Sequence, residues 1–324
     1  MRTSSAARTL LLREEDLRGL VNLDDAVEEL RQAYLGLAAG AGASAPRTRL
    51  RAPGGRTLHA LVAVSPLGTA GAKLTLVGAG RSAALTLLYE LVDGRPVALV
   101  QSAELSLLRT VGTSILAARH LARPDSRRLA VLGSGRQATG QLRGFCAAFQ
   151  IGHASVWSPT RAHRRALAAL AADELGIECE AVETAELAVT GADIVVTATR
   201  AAEPVLRADW VPAGAHVNAI GADRADRREL DGRLVASADR VVTDSLEQAR
   251  RDAGDLREAV REGVIGWERV VELGALVTGT VPGRRSEREI TLFDAQGAAL
   301  GDVALAGLAY RRALDAGRGS PVEL

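Results

Sequence analysis

Apolar and polar positions recur along this chain with more than one period, and where the period changes the chain divides. In residues 24–38, Val27, Leu30, Tyr34 and Leu37 recur at helical spacing, so the pattern predicts an amphipathic helix with one stripe facing a core. Asp24, Asp25 and Glu28 at its start and Gly40 beyond its end suit the helix dipole and a C-terminal cap. Strand-like runs follow at 56–64, 72–77 and 84–92, then a turn at Asp93-Gly94 and a returning strand at 96–100. Residues 105–121 are helical again, and Arg123-Pro124-Asp125 breaks that helix.

Beyond the break, short apolar runs alternate with helical stretches. Strands are predicted at 129–132, 155–158, 179–182, 194–198, 216–220 and 240–242, with helices from Gly135 to about residue 150 and over 161–172. Such alternation means a parallel sheet with both faces covered, so the fold class is α/β, a doubly wound Rossmann-type domain plus a second α+β domain. Residues 247–274 read as helical, and 303–314 as a final Ala/Leu-rich helix that returns to the first domain. The expected division is therefore 1–120 with 300–324, and 121–299.

Composition narrows the possibilities. With 324 residues, 47% hydrophobic and 24% charged, the chain has the balance of a globular protein of two domains. A net charge of +1 and scattered basic pairs, with only 3% aromatic residues, exclude a nucleic-acid groove lined by cations and stacking rings. No apolar run approaches the roughly 20 residues of a membrane span, and residues 1–12 are too short an apolar stretch for a secretory signal. Cys146 and Cys179 make neither a disulfide framework nor a metal-ligand pattern. A cytoplasmic protein is expected. One fact is sharper: Lys73 is the only lysine in the chain. Arg does not exchange protons near neutral pH, whereas a desolvated Lys does, so Lys73 marks a position that Arg would not serve.

Candidate chemistry begins at Leu129-Ala130-Val131-Leu132-Gly133-Ser134-Gly135-Arg136-Gln137-Ala138. This is G-x-G-x-x-A between a strand and a helix. Gly133 permits the tight turn, Gly135 lets a pyrophosphate approach the backbone, and the helix N-terminus faces the phosphates. The next strand ends at Ser158-Pro159-Thr160-Arg161, without the acidic residue that favours NAD. Ser158, Thr160 and Arg161 suit a 2′-phosphate, so NADP(H) is preferred over NAD(H). In the first domain, Arg47, Lys73 and Arg109 are cations able to hold a carboxylate through charge-assisted hydrogen bonds. Asp223 follows a strand of the doubly wound domain, where strand C-termini line the ligand crevice and a carboxylate can exchange a proton with nitrogen or water.

The motifs Arg109-Thr110-x-x-x-Ser114, Leu121-Ala122-Arg123-Pro124, Gly133 to Ala138, Glu203-Pro204, Gly214 to Asp223 and Arg228-Glu229-Leu230-Asp231 stand in fixed order. Together they resemble the ornithine cyclodeaminase/mu-crystallin family from about Arg47 to Tyr310. The resemblance implies a homodimer in which the N-terminal segment and C-terminal helix form a dimerisation and substrate domain beside a dinucleotide-binding domain. It implies that Arg47, Lys73 and Arg109 bind a substrate carboxylate, that Lys73 and Asp223 are catalytic, and that Thr86, Thr110, Gly135, Arg136, Gln137, Thr197, Thr199 and Arg227 contact the cofactor. Three departures bear on the substrate or the cofactor. His59 stands where cyclodeaminases carry a glutamate, which argues against ornithine cyclisation. The 77–82 loop is short, with Arg81 placed to meet an additional anionic group. Phe293-Asp294-Ala295-Gln296-Gly297 lacks the usual basic residue and serine, which puts a cofactor contact there in question. Asp223 replaces the serine of mu-crystallins, which favours an enzyme. The expected activity is NAD(P)-dependent hydride transfer at the Cα of a small amino, imino or keto acid. The alternatives are a redox-neutral lyase with tightly held NAD and a non-catalytic NADPH-dependent binding protein.

Overall fold

The computed structural model describes residues 9–78 and 81–323. Packing divides the chain into two compact units, 1–112 with 298–324, and 113–297. The first opens with β1 (Thr9–Leu12), a single turn α1 (Glu14–Leu17) and α2 (Leu23–Ala38). Asn22 caps α2: its side chain accepts from the Asp25 amide while Asp25 accepts from the Asn22 amide, so two otherwise orphaned donors are satisfied. Then come β2 (Ala43–Ser44), β3 (Thr48–Ala52), β4 (Arg56–Val64), β5 (Thr69–Gly78), β6 (Arg81–Glu90) and β7 (Pro96–Gln101), followed by α3 (Ala103–Leu121), within which the division falls.

The second unit runs β8 (Arg128–Leu132), α4 (Arg136–Ala148), β9 (His153–Trp157), α5 (Arg161–Leu175), β10 (Glu178–Ala181), α6 (Ala185–Val189), β11 (Ile194–Thr197) and β12 (His216–Ala219). It continues with α7 (Gly232–Ser237), β13 (Arg240–Thr243), α8 (Leu246–Asp252), α9 (Gly254–Arg261), β14 (Val270–Glu272), α10 (Leu273–Val277) and β15 (Thr291–Asp294). Its sheet has the order β10-β9-β8-β11-β12-β15-β13-β14, and the strands pair in parallel throughout. The central strands are buried on both faces, so β11 reads Ile-Val-Val-Thr without alternation. The strand order reverses direction between β8 and β11, which in such sheets opens a crevice beyond the strand C-termini. The helical expectation for 247–274 is corrected here. β14 lies inside it, because α9 stops at Arg261, Gly263 turns the chain with φ +73°, and Val270-Val271 pairs with Val241-Val242 of β13.

The chain then returns to the first unit as α11 (Ala299–Asp315) and β16 (Ser320–Val322). The first sheet has the order β16-β1-β7-β6-β5-β4-β2, with β3 also on β4, and is antiparallel except where β1 meets β7. α11 packs on β4, β5 and β6 and is covered in turn by α2. Its small residues let it lie close: a Cβ on Gly307 would sit 2.9 Å from Thr69 Oγ1. Period-2 alternation puts Leu61, Ala63, Lys73, Thr86 and Leu88 inside, whereas Leu50, Val62, Leu74, Leu76 and Leu85 on the opposite face stay exposed. Among the described residues no helix is long and apolar enough to cross a membrane.

Candidate functional site

Lys73 lies mid-strand in β5, flanked in register by Leu61 of β4 and Thr86 of β6. The pleat turns its side chain to the inner face, where α11 covers it and leaves it 5% exposed. Its Nζ donates to Asp302 Oδ1 at 2.6 Å and to Ser106 Oγ at 3.2 Å. Arg109 Nε donates to the same Asp302 oxygen at 3.0 Å. Burial would raise the Asp302 carboxyl, but Arg109 and Lys73 outweigh it and hold the group below its usual value. For Lys73 burial dominates the other way. Asp302 favours the ammonium, Arg109 and Arg47 oppose it, and the pKa falls to about 8. A lysine so placed exchanges protons close to neutral pH.

Asp302 is the member of this cluster that sequence reasoning missed. It is the only charged residue between Asp294 and Arg311, in an otherwise Ala/Leu/Gly run. A lone acid in an apolar helix was the available signal, since such an acid is buried only with a partner.

The other predicted residues of this unit fall around the pair. Arg47 precedes β3 and is near enough to Lys73 to disfavour its charge. His59 sits on β4 in register with Arg49 and Thr75, one row from Lys73 on the same face. Thr86 donates to Ser102 Oγ at 2.9 Å. Thr110 donates to the Ser106 carbonyl at 2.8 Å, so its hydroxyl proton is committed to its own helix. Arg81 opens β6, and its side chain lies outside the described residues.

In the second unit the fingerprint glycines take different roles. Gly133 has φ +129°, and a Cβ there would meet the Ala198 carbonyl oxygen at 2.5 Å, so only glycine fits. Gly135 is the N-cap of α4, with no side-chain cap and open space where a Cβ would project. Gly135 carries no side chain to cover the N-terminus of α4, an opening that fits a dinucleotide pyrophosphate. Ser134 donates to Ser158 Oγ at 2.9 Å, and Ser158 in turn donates to the Thr160 carbonyl at 3.3 Å. Ser158 is thus buried and engaged, whereas Thr160 and Arg161 are exposed, with Arg161 Nε 3.8 Å from Glu183. Buried Arg164, also missed, braces this loop through the Ser158 carbonyl and Glu183.

At the ends of β11 and β12, Glu229 accepts from Thr197 Oγ1 at 2.8 Å, the Thr199 amide at 2.5 Å and the Gly221 amide at 2.7 Å. It thereby fixes the two loops that carry Thr197, Thr199 and Asp223. Arg227 donates to Asp223 Oδ1 at 2.9 Å, and both side chains are partly exposed. Within each unit the predicted residues therefore gather: a cation cluster on the first sheet, and a set of strand C-termini on the second.

The model of the ornithine cyclodeaminase/mu-crystallin family matches residues 13–317. The chain belongs to this family. Among its relatives, alanine dehydrogenase of Archaeoglobus fulgidus is 34% identical over 323 residues, covering 97% of this chain and 98% of that protein. The fold is similar to Thermococcus litoralis Delta(1)-pyrroline-2-carboxylate reductase in complex with NADH and L-proline, with a TM-score of 0.92 and 32% identity over 97% of this chain and 100% of that one. It is equally similar to an archaeal alanine dehydrogenase dimer with bound NAD, with a TM-score of 0.92 and 33% identity over 98% of this chain and 99% of that one.

Proposed function

We propose that this family member is an NAD(P)-dependent oxidoreductase that transfers a hydride between a nicotinamide cofactor and the Cα of a small amino, imino or keto acid. The observation that carries the proposal is Lys73, a buried lysine of lowered pKa clustered with Arg109 and Arg47. Cations so clustered suit a substrate carboxylate. The two relatives of known structure hold NADH with proline and NAD respectively.

The cofactor supplies or accepts the hydride. Gly133, Ser134, Gly135, Arg136 and Gln137 would hold its pyrophosphate, with Thr197, Thr199 and Arg227 along the same row of strand ends. Exposed Thr160 and Arg161, with no acid closing β9, support NADP(H) over NAD(H). Arg47, Arg109 and Lys73 would bind and orient the carboxylate. In the reductive direction a hydride reaches Cα of the imine, the C=N π pair moves to nitrogen, and nitrogen takes a proton. Asp223, aligned by Arg227, is the group assigned to that proton. His59, one row from Lys73, would face the substrate side chain. The exposed apolar face of the first sheet supports a homodimer, with the first unit serving substrate binding and dimerisation, and a cytoplasmic location suits this chemistry.

Purified protein with NADPH or NADH and a panel of cyclic imino acids, or pyruvate with ammonium, should consume reduced nicotinamide absorbance. Lys73→Met should lower turnover at least about 100-fold while leaving dinucleotide binding intact. Turnover that survives this substitution would overturn the role of Lys73. Ammonia release from a diamino acid without net cofactor consumption would indicate a lyase instead, and cofactor binding without turnover across the panel a binding protein.

A further inference from the structure

Both Lys73 and Arg109 converge on one oxygen, Oδ1 of Asp302, while Oδ2 is buried without a hydrogen-bond partner. The groups facing the Lys73 ammonium can be taken element by element. β4 offers apolar Leu61 in register, with His59 one row away, and β6 offers Thr86. α3 brings Ser106 and Arg109, the segment before β3 brings Arg47, and α11 brings Asp302. Of these influences, burial, Arg109 and Arg47 all favour a neutral amine, and the carboxylate of Asp302 is the charged group that favours the ammonium. Asp302 is itself kept ionised in a buried position by the two cations and sits in the first turn of α11, where the helix dipole favours an anion.

We propose that Asp302 is a positioning residue that aims the Lys73 side chain and holds it as an ammonium, and so sets the alkaline limit of the reaction. This rests on the reading that Lys73 binds or protonates the substrate. It also makes Lys73 a two-state group under the control of a residue on another element, with Arg109 tethered to the same oxygen so that the two cations keep a fixed spacing. A carboxylate arriving from the substrate would then add to a preset pair rather than assemble it.

Because the chain has a single lysine, protein labelled with carbon-13 at lysine Cε gives one side-chain signal, and its pH titration reads Lys73 directly, without substrate. The isosteric Asp302→Asn should move the titration midpoint down by at least about one pH unit, and the alkaline limb of kcat/KM should move with it. Asp302→Glu, which keeps the charge, should restore most of the midpoint. If the Asn variant does not fold, Asp302→Ser, which leaves room for water, is titrated in its place. An unchanged midpoint in a folded neutral variant would overturn the proposal, as would a shifted midpoint with an unmoved activity limb. The two readings fail separately. A wild-type enzyme killed by Lys73→Met, with a midpoint indifferent to Asp302, sinks only this inference. A midpoint that follows Asp302 in a protein without oxidoreductase activity supports the pairing and sinks the assigned reaction.

Discussion

Gly133 and Gly135 stand two residues apart and are glycine for different physical reasons. The first is required by the protein's own backbone, through its positive φ and the Ala198 carbonyl. The second faces open space, so a methyl group there costs the fold little and instead occupies the volume assigned to the pyrophosphate. Gly133→Ala should therefore lower stability by about 1–3 kcal/mol as well as weaken dinucleotide binding, whereas Gly135→Ala should weaken binding alone. Denaturant unfolding alongside cofactor fluorescence titration separates the two, and equal stability losses would refute the distinction. At this scale the sequence was legible where the signal was local or singular. The Gly-Ser-Gly turn is a contiguous motif, and one lysine in 324 residues needs no neighbour to be noticed. Asp302 was not legible in the same way, because its meaning lies in a contact with a residue 229 positions away.

Among the elements, the short strands at the far side of the second sheet were the hardest to read. β14 has three residues and pairs only with β13, and β15 has four, so neither presents enough alternation to outweigh the helical stretches around it. Their burial has a chemical consequence. Asp255, at the start of α9, accepts from the Glu229 amide at 2.8 Å and the Leu230 amide at 2.9 Å through one oxygen, and its other oxygen is buried without a partner. Burial, reinforced by the negative charge of Glu229, pushes its carboxyl up to about 8, and Asp294 on β15 is raised for the same first reason. The folded protein thus retains a proton that the unfolded chain releases near pH 4. Stability from this group is fully present below that pH and is lost as pH rises toward 8, at up to about 1.4 kcal/mol per pH unit for one proton. Asp255→Asn keeps the accepting oxygen and removes the titration. Urea unfolding at pH 6 and pH 8.5 should show a smaller decline in the variant than in wild type, and parallel declines would argue against a proton at this site.

For the whole molecule, the exposed face of the first sheet is the feature that a single chain leaves unexplained. Val62 is 50% exposed and Leu74 46%, on strands whose alternate residues are core. A contiguous apolar face of this kind is a candidate interface, as the proposed homodimer requires. Leu74→Arg places a charge on that face and removes no core contact, so it should yield a folded monomer by light scattering at a concentration where wild type is dimeric. A variant that remains dimeric would direct the interface elsewhere. Fold class, the parallel sheet and the returning helix were readable because periodicity is a property of one chain, whereas the reason for an apolar outer face is not.

The solitary lysine has a practical corollary. A protease specific for lysine has one peptide bond to cut in the whole polypeptide, between Lys73 and Leu74, in the interior of β5 with strands paired on either side. Access to that bond requires the first sheet to come apart, so the rate of this one cleavage gauges how often the first unit opens.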